Sequence, residues 1–195
     1  QGARQCRQPC VDDEINIPPE RAIAVSEAIA AHPTKFLHRG FIKAELFSAD
    51  VARAMAKAGF VEVLTGVESG SDRILKRIRK NTTYAINIQA AHIARDHCIR
   101  LKASTMLGLP GETLEDVMLT KQWLLEAKPE AFDVCIYQPM PGSPIYDEPE
   151  KYGVGLFYEQ DGQILPYKTF TGNYRAKTRT ETLSSEDLVR LRDEI

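Results

Sequence analysis

The residues best placed to bind a ligand lie in the segment Gly66–Lys80, whose sequence is GVESGSDRILKRIRK. Here a carboxylate, Glu68, precedes a Ser-Gly-Ser loop and a basic helix. Small residues let a ligand approach the backbone, and the first turn of a helix offers free N–H groups. Glu68 could therefore accept hydrogen bonds from a ribose diol. A turn followed by a helix cap explains the same residues equally well, so both interpretations stay open.

A second segment that could bind a nucleoside is Ser104–Asp116, with the sequence STMLGLPGETLED. It predicts a strand that runs into a Gly-Leu-Pro-Gly turn and then a helix capped by Thr113. Backbone N–H and C=O groups at an exposed strand end can bind an adenine edge. We interpret Glu112 as a first-turn carboxylate that interacts favourably with the helix dipole, rather than as a catalytic acid.

Two further segments have weaker signals for ligand binding. Val11–Asn16 contains three adjacent carboxylates, which repel one another and could bind a cationic group such as a substrate ammonium. A solvated loop between a strand and a helix is the more ordinary explanation. Tyr137, at the start of the segment Tyr137–Asp147, could stack on a base, although an aromatic residue on a strand is more often part of the core.

The cysteines and histidines do not form a recognisable metal site. Cys6 and Cys10 are spaced as C-x3-C, but an iron–sulfur cluster needs at least three thiolates at close spacing. A C-x3-C-x2-C set would place its third cysteine at Asp13. Cys98 and Cys135 fall in a predicted helix and a predicted strand, so we expect both to be buried. The four histidines lack metal-ligand spacing, and no metal ligand is predicted.

The order of apolar residues predicts an α/β protein. Short β-rich runs alternate with amphipathic helices, which is typical of repeated βα units and a parallel sheet. The C-terminal ends of such strands meet at one edge, where ligands bind. The strands are predicted near Cys10–Val11 and over Phe36–Glu45, Val61–Val67, Ile99–Leu107 and Phe132–Gln138.

Composition and charge exclude several classes of protein. The chain has 195 residues with 25 Lys and Arg against 27 Asp and Glu, a net charge of −2, which argues against a nucleic-acid partner. No apolar run approaches the roughly 18 residues that indicate a membrane span. The segment Gln1–Cys10 lacks the apolar core of a secretion signal. Sparse cysteines are typical of the reducing cytoplasm, where we expect the protein.

A change of composition after Tyr152 predicts two domains, residues 1–150 and residues 151–195. The second domain is expected to contain a hairpin around Asp161-Gly162, a polar loop over Gly172–Thr182, and a helix capped by Ser184.

Taken together, these segments resemble the radical S-adenosylmethionine (SAM) enzymes, and most of all their cobalamin-associated, methylthiotransferase-like branch. The matching stretches are VDDEINIPPERA, AGFVEVLTGVESGSDRILKRIRKNT, ASTMLGLPGET and YQPMPGSPIYD, in that order. The resemblance implies a partial (β/α)6 barrel of the TIM type with outer helices. It also implies that SAM, beside a [4Fe-4S] cluster, is cleaved reductively to a 5′-deoxyadenosyl radical. Cobalamin is a further cofactor that this branch implies.

The resemblance also implies a set of SAM-binding residues at the strand ends. In it the acidic turn faces the methionine amino group, a glutamate binds the ribose with a serine next to it, a lysine or a neighbouring cation binds the carboxylate, and the last two strands flank the adenine. The acidic turn would be Asp12, Asp13 and Glu14, and the residues at the ribose would be Glu68 with the adjacent Ser69. Lys80 would lie at the carboxylate, and Lys43 and Glu45 at the rim of the site. The residues beside the adenine would be Met106, Leu107, Gly108 and Tyr137.

One departure from the family is large. The family places a C-x3-C-x2-C loop one βα unit ahead of the acidic turn, yet only eleven residues precede Asp12. A βαβ unit needs about 30 residues. We therefore expect a truncated barrel that lacks its first βα unit, holds no cluster and is inactive alone. The parent protein is expected to be an iron–sulfur enzyme of the oxidoreductase type.

Two other functions stay open. The chain could be a catalytically silent α/β scaffold that forms homo-oligomers through the strand edge left by the missing unit. It could also be a non-radical barrel lyase, which would need a Schiff-base lysine at a strand end. Lys43 and Lys102 are the candidates for that role. The sequence identifies neither the small-molecule substrate nor a catalytic residue.

Overall fold

The computed structural model describes residues 14–156, 159–160, 163–164 and 176–195. Helices and strands alternate over most of this range. The α-helices are α1 (Pro19–Ala31), α2 (Ala49–Ala58), α3 (Asp72–Arg77), α4 (Tyr84–Asp96), α5 (Leu114–Ala127), α6 (Pro144–Asp147) and α7 (Ser185–Glu194). The strands are β1 (His38–Phe41), β2 (Phe60–Glu68), β3 (Arg100–Leu107), β4 (Ala131–Ile136), β5 (Val154–Leu156), β6 (Glu159–Gln160), β7 (Gln163–Ile164) and β8 (Thr178–Thr180).

The first four strands form a parallel sheet in the order β1-β2-β3-β4. In the β1–β2 pair, Arg39 lies beside Glu62 and Phe41 beside Leu64. Helices connect successive strands, as parallel pairing requires. The predicted α/β fold with a parallel sheet and outer helices is confirmed. The strand predicted near Cys10–Val11 lies outside the described residues.

The second predicted strand, Phe36–Glu45, is too long. β1 ends at Phe41, and Ala44–Leu46 form a 3₁₀ helix, so Glu45 does not lie on a strand. The side chain of Asn16 explains the early end. Its Oδ1 accepts the N–H of Lys43 and its Nδ2 donates to the Lys43 carbonyl, both at 2.8 Å. The backbone groups that a longer strand would have paired are thus used by a side chain.

Hydroxyl caps fix the starts of the helices where the sequence predicts them. Ser48 accepts the N–H of Val51 at the start of α2, and Ser184 forms a capping box with Asp187 at the start of α7. Helix α2 buries one apolar face, as the helical spacing of its apolar residues indicates. The residues of this face are Val51, Ala54, Met55 and Ala58.

Helix α3, the basic helix predicted within the segment Gly66–Lys80, ends at Arg77, three residues before the end of that segment. Arg79 has φ 58°, in the left-handed region, and the N–H of Lys80 donates back to the carbonyl of Leu75 at 2.9 Å. This is the hydrogen-bond pattern of a Schellman motif, which closes a helix. Usually a glycine occupies the left-handed position, so this helix end carries no clear sequence signal.

The chain divides into two compact units, which are interleaved in sequence. As far as they are described, the first comprises residues 14–67 with Thr82–Ser104 and Trp123–Asp133. The second comprises Glu68–Asn81, Thr105–Gln122 and Val134–Ile195. The core of the first unit includes the fully buried Trp123 and Met55. The predicted division at residue 150 stays a prediction.

The core of the second unit is an apolar cluster contributed by the end of β3 and by helices α5 and α7. Its members are Leu107, Val117, Leu183, Leu188 and Leu191. Strand β6 pairs antiparallel with β7, which confirms the predicted hairpin, although Asp161 and Gly162 themselves lie outside the described residues. The polar loop predicted over Gly172–Thr182 is wrong at Thr178–Thr180, because these residues form β8 and pair with β5.

The two cysteines among the described residues are less buried than predicted. Cys98 is exposed with φ 57°, because α4 ends at Asp96, so its predicted burial in a helix is wrong. Cys135 is half-buried in β4. Among the described residues, no helix has the length and apolar character needed to span a bilayer.

Candidate functional site

The second unit contains a cavity of about 650 Å³, within the range of small-molecule sites. Its walls come from the end of β2, the residues that end α3, the end of β3 with the turn after it, and the chain that follows β4. The lining residues are Glu68, Arg77, Ile78, Arg79, Lys80, Met106, Leu109, Pro110, Tyr137, Ser143, Pro144, Ile145 and Tyr152.

Glu68 is the last residue of β2 and the only carboxylate among the lining residues. Its backbone has φ 63°, which terminates the strand and turns the chain into the Ser-Gly-Ser loop. Oε1 accepts a hydrogen bond from Lys80 Nζ at 3.0 Å. Oε2 is buried and has no hydrogen-bond partner among the described residues. A buried carboxylate oxygen without a partner is unfavourable, and a ligand hydroxyl would relieve that cost.

Lys80 reaches Glu68 because of the way α3 ends. The left-handed conformation of Arg79 reverses the chain direction, and the Lys80 side chain then lies beside Glu68 with 32% of its surface exposed. Arg77 and Arg79 also line the cavity. Three cations against one carboxylate favour a ligand that carries an anionic group.

The loop between Glu68 and α3 is fixed by close contacts with α5. The N–H of Gly70 donates to Thr120 Oγ1 at 2.9 Å, and the N–H of Ser71 donates to Ser69 Oγ at 3.1 Å. A Cβ at Gly70 would lie 2.7 Å from Thr120 Cα, so only glycine allows this approach. Ser69 itself is fully buried in this contact and is not a lining residue of the cavity.

Asp116 ties the same loop to the start of α5. Its carboxylate accepts hydrogen bonds from Ser71 Oγ at 2.6 Å, from the guanidinium of Arg73, and from the N–H and hydroxyl of Thr113. Burial alone would raise the pKa of Asp116, but the hydrogen bonds from Ser71, Arg73 and Thr113 outweigh it and hold the pKa below its ordinary value.

The turn after β3 forms the apolar wall. Met106, Leu109 and Pro110 line the cavity. Leu107 points the other way, into the core cluster of the second unit. Gly108 has φ 82°, which begins the Gly-Leu-Pro-Gly turn, and its N–H donates to Glu112 Oε2 at 2.6 Å. Leu107 and Gly108 therefore contribute backbone and shape, not lining side chains.

Glu112 does not lie in the first turn of α5, where we expected a carboxylate that interacts with the helix dipole. It precedes α5, is fully buried, and closes the turn through Gly108. Burial raises its pKa to about 8, although the N–H groups of Gly108 and Leu109 act in the opposite direction. Its second oxygen, Oε1, has no hydrogen-bond partner among the described residues. Nothing in the local sequence distinguishes this buried glutamate from an exposed one.

Tyr137 follows β4 and lines the cavity, and its place beside a ligand stays a prediction. Its N–H donates to the carbonyl of Leu107 at 2.7 Å, which joins it to the end of β3. Burial raises the pKa of the Tyr137 hydroxyl above its ordinary value.

The structure brings together four of the predicted site residues, Glu68, Lys80, Met106 and Tyr137. Sequence reasoning treated Arg77 and Arg79 only as cations of the basic helix, and it did not select Tyr152, which lies outside the chosen segments. Leu109 and Pro110 lie inside the segment we had already selected, and Ser143, Pro144 and Ile145 lie inside the segment Tyr137–Asp147. The signal was therefore present at the level of the segment, but not of the side chain.

The acidic turn belongs to the first unit and is only partly described. Asp12 and Asp13 lie outside the described residues. Glu14 lies 3.6 Å from Lys43 Nζ in an ion pair that is more than one-third exposed on each side. Glu45 lines a different cavity of the first unit, about 470 Å³ in volume, together with Phe47 and residues of α4.

The described residues do not form a metal centre. No group of three His, Cys, Asp or Glu side chains in this part of the chain could hold a metal ion. Cys6 and Cys10 lie outside it. The two lysines considered for a lyase are both engaged by carboxylates, Lys43 by Glu14 and Lys102 by Asp133 at 2.7 Å. No other observation supports a lyase.

Comparison with known proteins identifies the family. The model of the radical SAM superfamily matches residues 12–124, which is more than half of the chain. The chain belongs to the radical SAM superfamily. This confirms the family that the sequence segments predicted.

Two relatives show what the chain is similar to at the sequence level. The tRNA-2-methylthio-N(6)-dimethylallyladenosine synthase of Dictyoglomus thermophilum is 34% identical over 105 residues, which are 53% of this chain and 21% of that protein. A methyltransferase of Pyrococcus horikoshii, named as uncharacterized, is 28% identical over 137 residues, which are 70% of this chain and 30% of that protein. The methylthiotransferase-like branch predicted above agrees with such relatives.

A solved structure shows the fold. The radical SAM methyltransferase TsrM from Kitasatospora setae, with cobalamin and a [4Fe-4S] cluster bound, superposes with a TM-score of 0.70 over 89% of this chain at 16% identity. The chain covers 40% of TsrM. It thus spans less than half the length of each of these three proteins.

Proposed function

We propose that the 650 Å³ cavity of the second unit binds SAM, and that the whole protein is a radical SAM enzyme acting on a small molecule. The observation that carries this proposal is the pairing of Glu68 and Lys80 in the cavity wall, with one buried glutamate oxygen left without a partner among the described residues. Membership of the superfamily supports SAM as the ligand.

The residues of the cavity suit the parts of SAM in a simple way. Glu68 Oε2 would accept a ribose hydroxyl, which completes its hydrogen bonding. Lys80, with Arg77 and Arg79 nearby, would neutralise the methionine carboxylate. Met106, Leu109 and Pro110 offer an apolar surface to the adenine.

The described residues do not fit a [4Fe-4S] cluster. SAM and a [4Fe-4S] cluster, when bound together, supply the radical chemistry of this superfamily. The sequence of this chain has only four cysteines, and none completes a C-x3-C-x2-C set. We therefore expect this chain alone to bind SAM without cleaving it. Cobalamin, present in TsrM, is a cofactor that we propose for the whole protein.

Isothermal titration calorimetry of SAM into this chain tests the proposal. Wild-type protein is expected to bind SAM, and Lys80→Ala to bind it about tenfold more weakly, since a charge-assisted hydrogen bond is lost. Lys102→Ala is the matched control, because Lys102 is equally exposed and also pairs with a carboxylate, but lies outside the cavity. Absence of binding, or an equal loss in both variants, would contradict SAM binding in this cavity.

Self-association through a strand edge is a second candidate function. Phe41 on β1 and Phe132 on β4 are about half exposed, and each lies on a strand at an edge of the four-stranded sheet. Exposed apolar residues on an edge strand favour pairing with another chain. Light scattering should show a concentration-dependent dimer that Phe132→Lys abolishes. A monomer at every concentration would exclude this function.

A further inference from the structure

The segment from β8 to α7 lies beyond residue 124, where the match to the superfamily model ends. It contributes no lining residue to the 650 Å³ cavity. It nevertheless makes hydrogen bonds to two backbone carbonyls beside the cavity wall. The donors are the hydroxyls of Thr178, Thr180 and Thr182.

The first of these hydrogen bonds fixes Tyr137. Thr178 Oγ1 donates to the Tyr137 carbonyl at 2.7 Å, and Thr178 is fully buried. Tyr137 lies just past the end of β4, which is an edge strand of the described sheet. Its N–H is already held by Leu107. The threonine hydroxyl therefore takes the place of a neighbouring strand, so that both backbone groups of this cavity residue are fixed.

The other two hydrogen bonds fix the turn after β3. Thr180 Oγ1 and Thr182 Oγ1 both donate to the carbonyl of Glu112, at 3.2 and 2.9 Å. Glu112 also makes two hydrogen bonds within this turn. Its side chain accepts the Gly108 N–H, and its own N–H donates to the Leu109 carbonyl at 2.9 Å. Holding Glu112 therefore holds the turn whose apex lines the cavity.

Helix α7 packs against the same turn. A Cβ at Gly108 would lie 2.9 Å from Leu188 Cδ1, and Leu188 and Leu191 pack with Leu107 at the end of β3. The threonine hydroxyls are thus not isolated surface contacts. They belong to a segment that is packed against the cavity wall on the side opposite the cavity.

We propose that Thr178, Thr180 and Thr182 are positioning residues, which hold Tyr137 and the Gly108–Glu112 turn in the conformation that receives the nucleoside. This inference rests on the proposed SAM site. A valine has nearly the shape of threonine but no hydroxyl, whereas a serine keeps the hydroxyl. If the hydroxyls position the wall, serine should preserve ligand binding and valine should not.

Two measurements on this chain test the inference. In calorimetry with SAM, the triple variant Thr178→Val, Thr180→Val, Thr182→Val is expected to bind about tenfold more weakly, and the corresponding triple serine variant to bind within about twofold of wild type. Thr82→Val is the control, since it removes a buried hydroxyl that donates to Asn87 in the first unit. Equal binding by the valine and serine variants would overturn the inference.

Amide hydrogen exchange separates this inference from the proposed function. In the valine variant, exchange of the Tyr137 and Gly108 amides should accelerate at least tenfold, while amides of β2 are unchanged. This readout needs no ligand. If wild-type protein binds no SAM, the proposed function fails and exchange alone then decides whether the threonines position the wall. Unchanged exchange at both amides would overturn the inference, and uniform acceleration over the whole chain would overturn it in favour of general destabilisation.

Discussion

Each unit of the molecule has a Glu–Lys ion pair near the end of a strand, and the two pairs differ in every other respect. Glu14 and Lys43 are 3.6 Å apart and more than one-third exposed, so water reaches both. Glu68 and Lys80 are 3.0 Å apart and less exposed, and they lie in the wall of a cavity. Exposed pairs of the first kind contribute little to stability.

The comparison shows which property distinguishes an ion pair in a candidate ligand site from an ordinary surface ion pair. Both pairs have the same residue types at comparable places, so the chemistry of the side chains alone does not separate them. What separates them is the second oxygen of Glu68, which is buried without a partner among the described residues. A buried acceptor without a partner costs free energy in the empty protein, and that cost is relieved when a ligand donates to it.

The largest effect at a single pH is expected from Asp116, because it holds the loop that carries the second pair. Asp116→Ala removes the acceptor for Ser71, Arg73 and Thr113. We expect a loss of about 3 kcal/mol in the free energy of unfolding, measured by urea denaturation at pH 7. Ala substitution of the exposed Asp50, which pairs only with Arg53 on its own helix, is the control. A loss below 1 kcal/mol (about the value of an exposed pair) would contradict this role.

The next effect concerns the pH dependence of stability through Glu112. Its pKa of about 8 in the folded chain lies above the ordinary value, so between these two values the unfolded chain is ionised while the folded chain keeps its proton. The free energy of unfolding should therefore fall as pH rises from about 5 to 8, by up to ~1.4 kcal/mol per pH unit. Glu112→Gln should remove this part of the slope.

Urea denaturation at pH 5, 6.5 and 8 checks this expectation. The difference in stability between Glu112→Gln and wild type should grow in favour of the variant as pH rises. Glu126→Gln, which changes a more exposed glutamate that pairs with Tyr84, should leave the slope unchanged. Parallel pH profiles for wild type and Glu112→Gln would show that Glu112 is ionised in the folded chain.

A smaller effect, on the affinity for SAM, is expected from a substitution in the second pair itself. Glu68→Gln keeps the size of the side chain but loses the charge that pairs with Lys80 and would bind a ribose hydroxyl. Affinity for SAM should fall about tenfold, equivalent to ~1.4 kcal/mol, by calorimetry. Asp133→Asn, which breaks the Lys102 pair outside the cavity, should change it less than twofold. Comparable losses in the two variants would remove Glu68 from the site.

The smallest effect is expected at the first pair. Lys43→Met removes the charge that faces Glu14 and leaves most of the side-chain volume. The free energy of unfolding should change by less than about 0.5 kcal/mol, as is usual for exposed pairs. Thermal denaturation in low and high salt checks this, since the wild-type and variant curves should stay together at both. A loss above 1 kcal/mol would make the two pairs energetically alike.

The sequence was sufficient for the fold, and it selected the segments that line the candidate cavity, whose role stays a prediction. Alternating strands and helices, and hydroxyl residues such as Ser48 and Ser184, specify local structure through short-range rules. Glu68, Lys80, Met106 and Tyr137 were named because the resemblance to the radical SAM enzymes implies them, and the structure places all four in the wall of one cavity.

The sequence was insufficient where tertiary contacts decide. Glu45 left its predicted strand because the distant Asn16 side chain uses the Lys43 backbone groups. The backbone of the buried Glu112 is held by the hydroxyls of Thr180 and Thr182, about seventy residues later. Leu107 and Ser69 belong to the right segments, but their direction follows from packing, which periodicity alone does not resolve at a strand end.

The left-handed backbone of Glu68 has a consequence for how this position tolerates change. Glutamate adopts φ 63° at a cost of about 1 kcal/mol that glycine or asparagine largely avoids. A library selected only for heat resistance should therefore replace this glutamate, whereas one selected for retention on a nucleoside resin should keep it. Opposite enrichment at the codon of Glu68 in the two selections would show that this glutamate serves ligand binding and lowers the stability of the fold.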